Sequence, residues 1–131
     1  MNNPISSSIV THLEFLGFNI EDGTNDGPSD ILYCKHESRS NIIAFISKND
    51  IIILQSTYSW IEWNSMKLLE KINEIHSRVS FTRWYIVDLS EKDKNIRIEM
   101  SLKWYNRQDF WEAVESFEKE ISINLPELSN I

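Results

Sequence analysis

The sequence predicts an α+β fold in which helices pack against one antiparallel sheet. Apolar residues recur at helical spacing in three separate segments, and two groups of β-rich segments lie between those helices. Within each group the strands are separated by short polar turns, which connect antiparallel neighbours. The predicted order is helix, three strands, helix, two strands and helix. We expect a single domain over residues 1–131, because no linker or repeat interrupts this order.

The first helix is predicted over residues 6–16, where Ile9, Leu13 and Leu16 form one apolar stripe. Gly17 follows at the position where a residue in the left-handed conformation commonly ends a helix. The polar stretch 19–29, which is rich in Asp, Asn and Gly, predicts a loop after a short extended piece at 18–20.

Three strands are predicted next, at 30–36, 41–47 and 50–57, and the last two form a hairpin. Apolar residues occupy both faces of this hairpin, whereas a strand with one wet face alternates apolar and polar residues. The residues concerned are Ile42, Ala44 and Ile46 against Ile43 and Phe45 in one strand, and Ile51 and Ile53 against Ile52 and Leu54 in the other. We therefore expect that this part of the sheet is covered on both faces, either within the protomer or by a partner.

The second half of the chain repeats the alternation of helix and strands. A helix is predicted over 64–78, and two strands follow at 82–88 and 95–104. In the second of these strands every other residue from Ile96 to Trp104 is apolar and is expected to face inward. The last helix is expected to begin near Asn106 and to stop before Pro126.

The chain is acidic, since 13 Lys and Arg stand against 20 Asp and Glu for a net charge of -7. Nucleic acids and anionic membrane surfaces attract clusters of Lys and Arg, so we expect neither as a partner. No apolar run approaches the ~20 residues of a membrane-spanning helix, and the N-terminus lacks the basic and apolar blocks of a signal peptide. These features predict a cytoplasmic protein, and its single cysteine, Cys34, excludes an intramolecular disulfide.

Few residues offer catalytic or metal chemistry. Cys34 and His36 share a face of a predicted strand, as a thiolate activated by an imidazole would require, but a buried thiol and a strand-end histidine are the plainer interpretation. Residues 22–27 have the oxygen spacing of a calcium loop, yet Tyr33 stands where such a loop needs a bidentate Glu. The three histidines lie on different elements. We expect no metal, no cofactor and no enzymatic activity.

A cluster of aromatic residues lies between the third predicted strand and the second helix, where a core stripe does not require them. Trp is enriched at binding hot spots because it buries a large area and keeps one donor. The alternative is that large side chains close the sheet edge against a helix. Together with the hairpin, this segment predicts a partner-binding surface made of Tyr58, Trp60, Trp63, Ile43, Phe45, Ile52 and Leu54.

Several short motifs resemble the YbjN-like family. They are the sequence LEKIN at 69–73, FTRWY at 81–85, IEM at 98–100 leading to Trp104 and Tyr105, and Asp109–Phe110 at the start of the last helix. The resemblance implies a fold similar to that of the small acidic chaperones of type III secretion. It implies no catalytic residues. It also implies a regulatory or protein-binding role, and the related chaperones are homodimers that hold extended segments of a partner.

The residues and the resemblance together predict a non-enzymatic protein-binding module, chaperone-like or regulatory, that self-associates as a homodimer and binds a protein partner. Two alternatives stay open. One is a small-molecule-binding or enzymatic domain with a pocket between sheet and helices, in which Cys34 or His36 takes part. The other is an acidic inhibitor or immunity-type protein that masks a basic target.

Overall fold

A computed structural model describes residues 4–23, 29–61, 65–88 and 93–128 of the chain. Three helices and six strands make up this part. In chain order they are α1 (Pro4–Phe15), β1 (Asn19–Asp22), β2 (Asp30–Lys35), β3 (Ile42–Ile46), β4 (Ile51–Ile61), α2 (Ser65–His76), β5 (Arg83–Asp88), β6 (Asp93–Lys103) and α3 (Arg107–Leu128). The fold is therefore α+β, as the sequence predicts.

The six strands form one antiparallel sheet in the order β1-β2-β3-β4-β6-β5. Strands β1 to β4 are consecutive neighbours, as short connections require. The chain then crosses through α2 to the far edge, and β6 returns between β4 and β5. The long pairing of β4 with β6 extends from Ile51↔Lys103 to Ile61↔Asp93 and forms the centre of the sheet.

All three helices lie on one face of the sheet, which we call the covered face. The even-numbered residues of β2, β3 and the first half of β4 point to it, and all of them are buried. Helices α1, α2 and α3 contribute Leu13, Leu68 and Phe117 among others to the same cluster, each of them 0% exposed. Two packed layers around a single core result, so the opposite face of the sheet carries no helix in the described ranges.

Two features of the elements differ from the sequence-based expectation. The segment predicted as a loop begins with a strand, β1, which pairs with β2 from Asn19↔Lys35 to Asp22↔Leu32. The last helix does not stop before Pro126 but continues to Leu128. Proline lacks an N–H and its ring crowds the carbonyl four residues earlier, but Leu128, two residues further on, is 1% exposed, so packing holds the final turn in place.

Polar contacts attach the helices to the sheet and its connections. The hydroxyl of Ser6 in α1 donates a hydrogen bond of 2.6 Å to Oδ2 of the buried Asp30 in β2. In α3, the carboxylate of Glu120 accepts from the backbone N–H groups of Ser80, Phe81 and Thr82, which lead into β5. Ser6, Asp30 and Thr82 are buried, and buried polar groups must be paired, so these contacts specify where α1 and α3 lie.

Gly17 ends α1 as predicted. Its φ of 96° lies in the left-handed region, which is open to glycine and costly for residues with a Cβ. A Cβ at this position would also stand 2.9 Å from Nε2 of His36. The glycine thus permits the turn into β1 and the close approach of the chain after β2.

Candidate functional site

The face of the sheet opposite the helices, here called the open face, carries an unusual number of apolar side chains. Odd-numbered residues of β2, β3 and the first half of β4 point to it, and all of them except the buried Gln55 are half-buried or exposed, whereas their even-numbered neighbours are buried. Five of these residues form what we call the open-face patch: Ile31, Tyr33, Ile43, Phe45 and Ile53.

The strand register makes this patch continuous. Ile31 pairs with Phe45, which pairs in turn with Ile53, so these three side chains form one row across β2, β3 and β4. Tyr33 pairs with Ile43 in the adjacent row. Cross-strand neighbours have Cβ atoms about 5 Å apart, so the side chains within each row are in contact. Contiguous apolar surface of this kind on a folded domain is typical of a contact site.

Polar side chains take over on the β6 half of the open face. Nε2 of Gln55 donates a hydrogen bond of 2.8 Å to Oε2 of Glu99. The guanidinium of Arg97 lies 6.0 Å from the centroid of the Tyr85 ring. Burial and the neighbouring Glu99 raise the pKa of Tyr85, although Arg97 opposes them. The open face therefore has an apolar half and a polar half that carries both signs of charge.

The structure divides the hairpin residues predicted to bind a partner. Ile43 and Phe45 lie on the open face and are half-buried, so they remain available for contact. Ile52 and Leu54 are 0% exposed beneath the helices. Their prediction as contact residues is wrong for the folded protomer, because the one-residue offset along β4 turns them to the covered face.

The first part of the aromatic segment, Tyr58 to Trp60, belongs to β4. Tyr58 pairs with Ile96, is half-buried, and donates a hydrogen bond of 2.6 Å from its hydroxyl to Oγ of Ser40. The backbone of Trp60 pairs with Lys94 at the end of the same strand. The side chain of Trp60 and all of Trp63 lie outside the described residues. A contact role for these two tryptophans stays a prediction.

Cys34 and His36 do not form a nucleophile and base pair. Cys34 is 2% exposed on the covered face, its Sγ lies 3.7 Å from the carbonyl oxygen of Leu32, and burial raises its pKa to about 12. In His36, Nδ1 accepts from the N–H groups of Ser38 and Arg39, and Nε2 lies 3.1 Å from the carbonyl oxygen of Leu16. Both ring nitrogens of His36 therefore lie within hydrogen-bond distance of backbone groups. The thiol of Cys34 stays protonated at neutral pH.

No cluster of three or more His, Cys, Asp or Glu suited to a metal ion occurs within the described ranges. The calcium-like spacing spans residues 22–27, of which residues 24–27 lie outside those ranges. None of the described helices is both long and apolar enough to cross a membrane.

A pocket in the helix layer escaped the sequence analysis. It measures about 550 Å³ and lies between α1, the start of α3 and the segment that joins β6 to α3. Its lining consists of Ser7, Ser8, Thr11, His12, Phe15, Tyr105, Arg107 and Trp111. Phe15 and Trp111 are 79% and 40% exposed, so large apolar side chains stand open at its rim.

His12 is the buried group of this pocket. It is 8% exposed, and its Nδ1 lies 3.2 Å from the hydroxyl of Tyr105. Its ring contacts those of Phe110 and Trp111, with centroids 5.0 and 5.9 Å away. Nε2 is buried and has no hydrogen-bond partner among the described residues. Burial and, to a lesser extent, the charge of Arg107 lower the pKa of His12, so this imidazole is neutral at neutral pH.

Comparison with known proteins identifies a fold and no sequence relative. No protein-family model matches the chain, and no curated protein matches its sequence. The crystal structure of YbjN from E. coli, described as a candidate transcription regulator, is similar with a TM-score of 0.72 at 13% identity. The similarity covers 97% of this chain and 93% of YbjN. It confirms the YbjN-like fold that the sequence motifs predict.

Proposed function

We propose that this domain is a non-enzymatic, self-associating protein-binding module with a regulatory role, and that its open face is the self-association surface. The observation that carries the proposal is the open-face patch, whose five apolar residues lie in two adjacent rows of one sheet. The description of YbjN as a candidate transcription regulator agrees with a regulatory role. A chain with a net charge of -7 is poorly suited to bind the phosphate backbone of a nucleic acid, so regulation would act through protein contacts.

The occupant that we propose for the open face is a second copy of this chain. Six strands spaced about 4.8 Å apart and about seven residues long give a face of roughly 650 Å² in projection. A stable interface buries about 800 Å² of accessible surface on each partner, and a corrugated face has more accessible area than its projection. Two sheets can pack face to face at about 10 Å with their strands aligned within about 30°.

Charge along the open face is compatible with such a dimer. One row of paired residues crosses the whole sheet in the order Glu21, Tyr33, Ile43, Gln55, Glu99 and Arg83. A two-fold axis parallel to the strands places the β1 edge of one copy over the β5 edge of the other. Glu21 of each protomer then faces Arg83 of its partner, and Ile43 faces Gln55 in the same row. In the neighbouring row, Phe45 of each protomer faces Ile53 of its partner near the centre.

Sedimentation velocity between 1 and 200 µM, with a Phe45→Glu variant, tests this proposal. The wild type is expected to sediment as a dimer of the 15.5 kDa chain, and the variant as a monomer with an unchanged circular dichroism spectrum. The matched control is Leu69→Glu, which places the same charge on a leucine that is 50% exposed on α2, and it should remain a dimer. A monomeric wild type at 200 µM, or equal dimerisation of the wild type and Phe45→Glu, would overturn the proposal.

A further inference from the structure

The pocket between α1 and α3 is independent of the open face and has the composition of a small-molecule site. Its volume of about 550 Å³ lies in the range of ligand pockets. Three aromatic side chains, Phe15, Tyr105 and Trp111, provide apolar walls, and hydroxyl groups of α1 provide a few polar contacts. A second, adjoining pocket shares His12, Arg107 and Trp111, so the recessed surface continues around the start of α3.

Charge in this recess is opposite to that of the whole protein. Arg107 is the one charged side chain in the lining of either pocket over the described residues, and no Asp or Glu joins it there. The chain as a whole has a net charge of -7. A carboxylate entering the recess therefore meets a guanidinium without a competing acid in the lining. Arg binds carboxylates with paired hydrogen bonds that a neutral group does not reproduce.

The start of α3 adds to this preference. Arg107 is the first residue of the 22-residue helix, and the positive end of a helix dipole favours an anion. Oδ1 of Asn106 accepts from the N–H groups of Gln108 and Asp109. The helix is thus capped from the side of the connecting segment, while Arg107 and Trp111 remain in the pocket lining.

The unpaired Nε2 of His12 is the independent sign of a ligand. Buried polar groups in folded proteins are almost always hydrogen-bonded, and an exception needs an explanation. His12 is more than nine-tenths buried, lines both pockets, and has this nitrogen without a partner among the described residues. A ligand bound in the pocket that His12 lines would supply the missing partner.

We propose that the pocket between α1 and α3 binds a small aromatic carboxylate. The aromatic ring of the ligand packs against Trp111 and Phe15, its carboxylate pairs with Arg107, and a polar atom of the ligand bonds to Nε2 of His12. The volume, the aromatic walls and the lone cation all match this class of ligand. A phosphate or another anion without a ring would leave the apolar walls unfilled.

The test compares 2-naphthoate with its neutral isostere 2-naphthamide by calorimetry and by NMR of the His12 ring. We expect 2-naphthoate to bind with a Kd on the order of 0.1 mM, at least tenfold more tightly than 2-naphthamide, and to shift the ring signals of His12. Arg107→Gln should remove this tenfold preference and leave the affinity for 2-naphthamide unchanged. Trp111→Ala should weaken the binding of both compounds. The matched control is Arg78→Gln, which changes an exposed arginine after α2 that lines neither pocket, and this variant should bind both compounds like the wild type.

Three results would each overturn the inference. The first is the absence of 2-naphthoate binding below several millimolar. The second is equal affinity for the acid and the amide, or an undiminished preference in Arg107→Gln. The third is tight binding of N-acetyltryptophanamide, which is neutral and peptide-like, because that outcome would assign the pocket to an aromatic side chain of a partner protein. Circular dichroism of each variant verifies that the fold is intact.

Discussion

The carboxylate of Glu120 in α3 connects the helix layer to the start of β5, and its removal should measurably destabilise the fold. Its Oε1 accepts from the N–H and the hydroxyl of Thr82 at 2.9 and 2.7 Å, and its Oε2 accepts from the N–H of Ser80 at 2.8 Å. Thr82 is 5% exposed, and its hydroxyl also accepts from Nε1 of Trp84 at 2.8 Å. The network therefore continues from a half-buried helix position into the core.

The size of the loss follows from which groups are left unpaired. In Glu120→Ala the buried N–H and hydroxyl of Thr82 lose their partner, which costs about 1–3 kcal/mol. The N–H groups of Ser80 and Phe81 belong to exposed residues and can bind water, so they add about 1 kcal/mol together. We expect a decrease of about 2–4 kcal/mol in the free energy of unfolding. Glu120→Gln should fall between the wild type and the alanine variant, because one oxygen still accepts.

Urea unfolding followed by circular dichroism measures this difference, with equal m-values as the condition for comparing midpoints. The control is Glu112→Ala on the same helix, since this carboxylate accepts only an exposed side-chain hydrogen bond from Gln108 among the contacts described. It should change stability by less than about 0.5 kcal/mol. If the two alanine variants unfold at the same midpoint, the backbone groups of residues 80–82 do not depend on Glu120 and the reasoning is refuted.

Two further substitutions test the covered side of the protein. Gly17→Ala should lower the free energy of unfolding by about 1–3 kcal/mol, because φ is 96° and the new Cβ would press on His36, whereas Glu14→Ala one turn earlier should be neutral in the same urea assay. Cys34 should resist iodoacetamide in the folded protein at pH 8 and react once the protein is unfolded, since its pKa is raised to about 12. Because the thiol of the unfolded chain ionises near pH 9 while the folded one stays protonated, the wild type should lose stability relative to Cys34→Ala between pH 9 and 12, by up to about 1.4 kcal/mol per pH unit. Equal pH profiles, or rapid labelling of the folded protein, would contradict this burial.

The sequence predicts most of the fold because its strongest signals are periodic. The stripes of α1 and α2 and the β-branched runs of β3 and β4 each indicate their element without further information. Strand β1 has only four residues, and its exposed or half-buried side chains show no alternation of buried and exposed positions. It is a strand because β2 offers an edge with unpaired backbone groups, and that information lies in tertiary structure.

The sequence-based prediction of burial fails at single positions where a periodic pattern reaches the end of a strand or helix. Trp104 continues the inward alternation of β6, yet it is 67% exposed. The strand ends at Lys103, and Trp104 takes a φ of 36°, which turns the chain toward α3. Trp111 is likewise 40% exposed although the adjacent Phe110 is 0% exposed, because one step along a helix turns the side chain by about 100°. The exposure of these two tryptophans cannot be predicted from residue spacing alone.

The two-faced hairpin illustrates what a pattern can and cannot decide. Apolar residues on both faces indicate that neither face is fully exposed to solvent, and the structure shows that helices cover one of them. Which face they cover depends on packing, so Ile52 and Leu54 could not be separated from Ile43 and Phe45 beforehand. The α1–α3 pocket had no sequence signal at all, since His12 and Arg107 lie 95 positions apart and meet only after α1 and α3 have packed.

The open face and the α1–α3 pocket occupy opposite layers of the molecule, and this separation makes the two proposals independent. Phe45→Glu changes a side chain that points away from every helix, so it should leave 2-naphthoate binding unchanged. Arg107→Gln changes an exposed side chain at the start of α3, so it should leave the sedimentation profile unchanged. If either substitution moved the other property, the two surfaces would be coupled through the core, where Ile9 and Leu13 of α1 belong to the same buried cluster as Leu32 of β2 and Ala44 of β3. Because each dimer carries two pockets, reciprocity would then require saturating 2-naphthoate to shift the monomer–dimer equilibrium by the square of the factor by which dimerisation shifts its Kd.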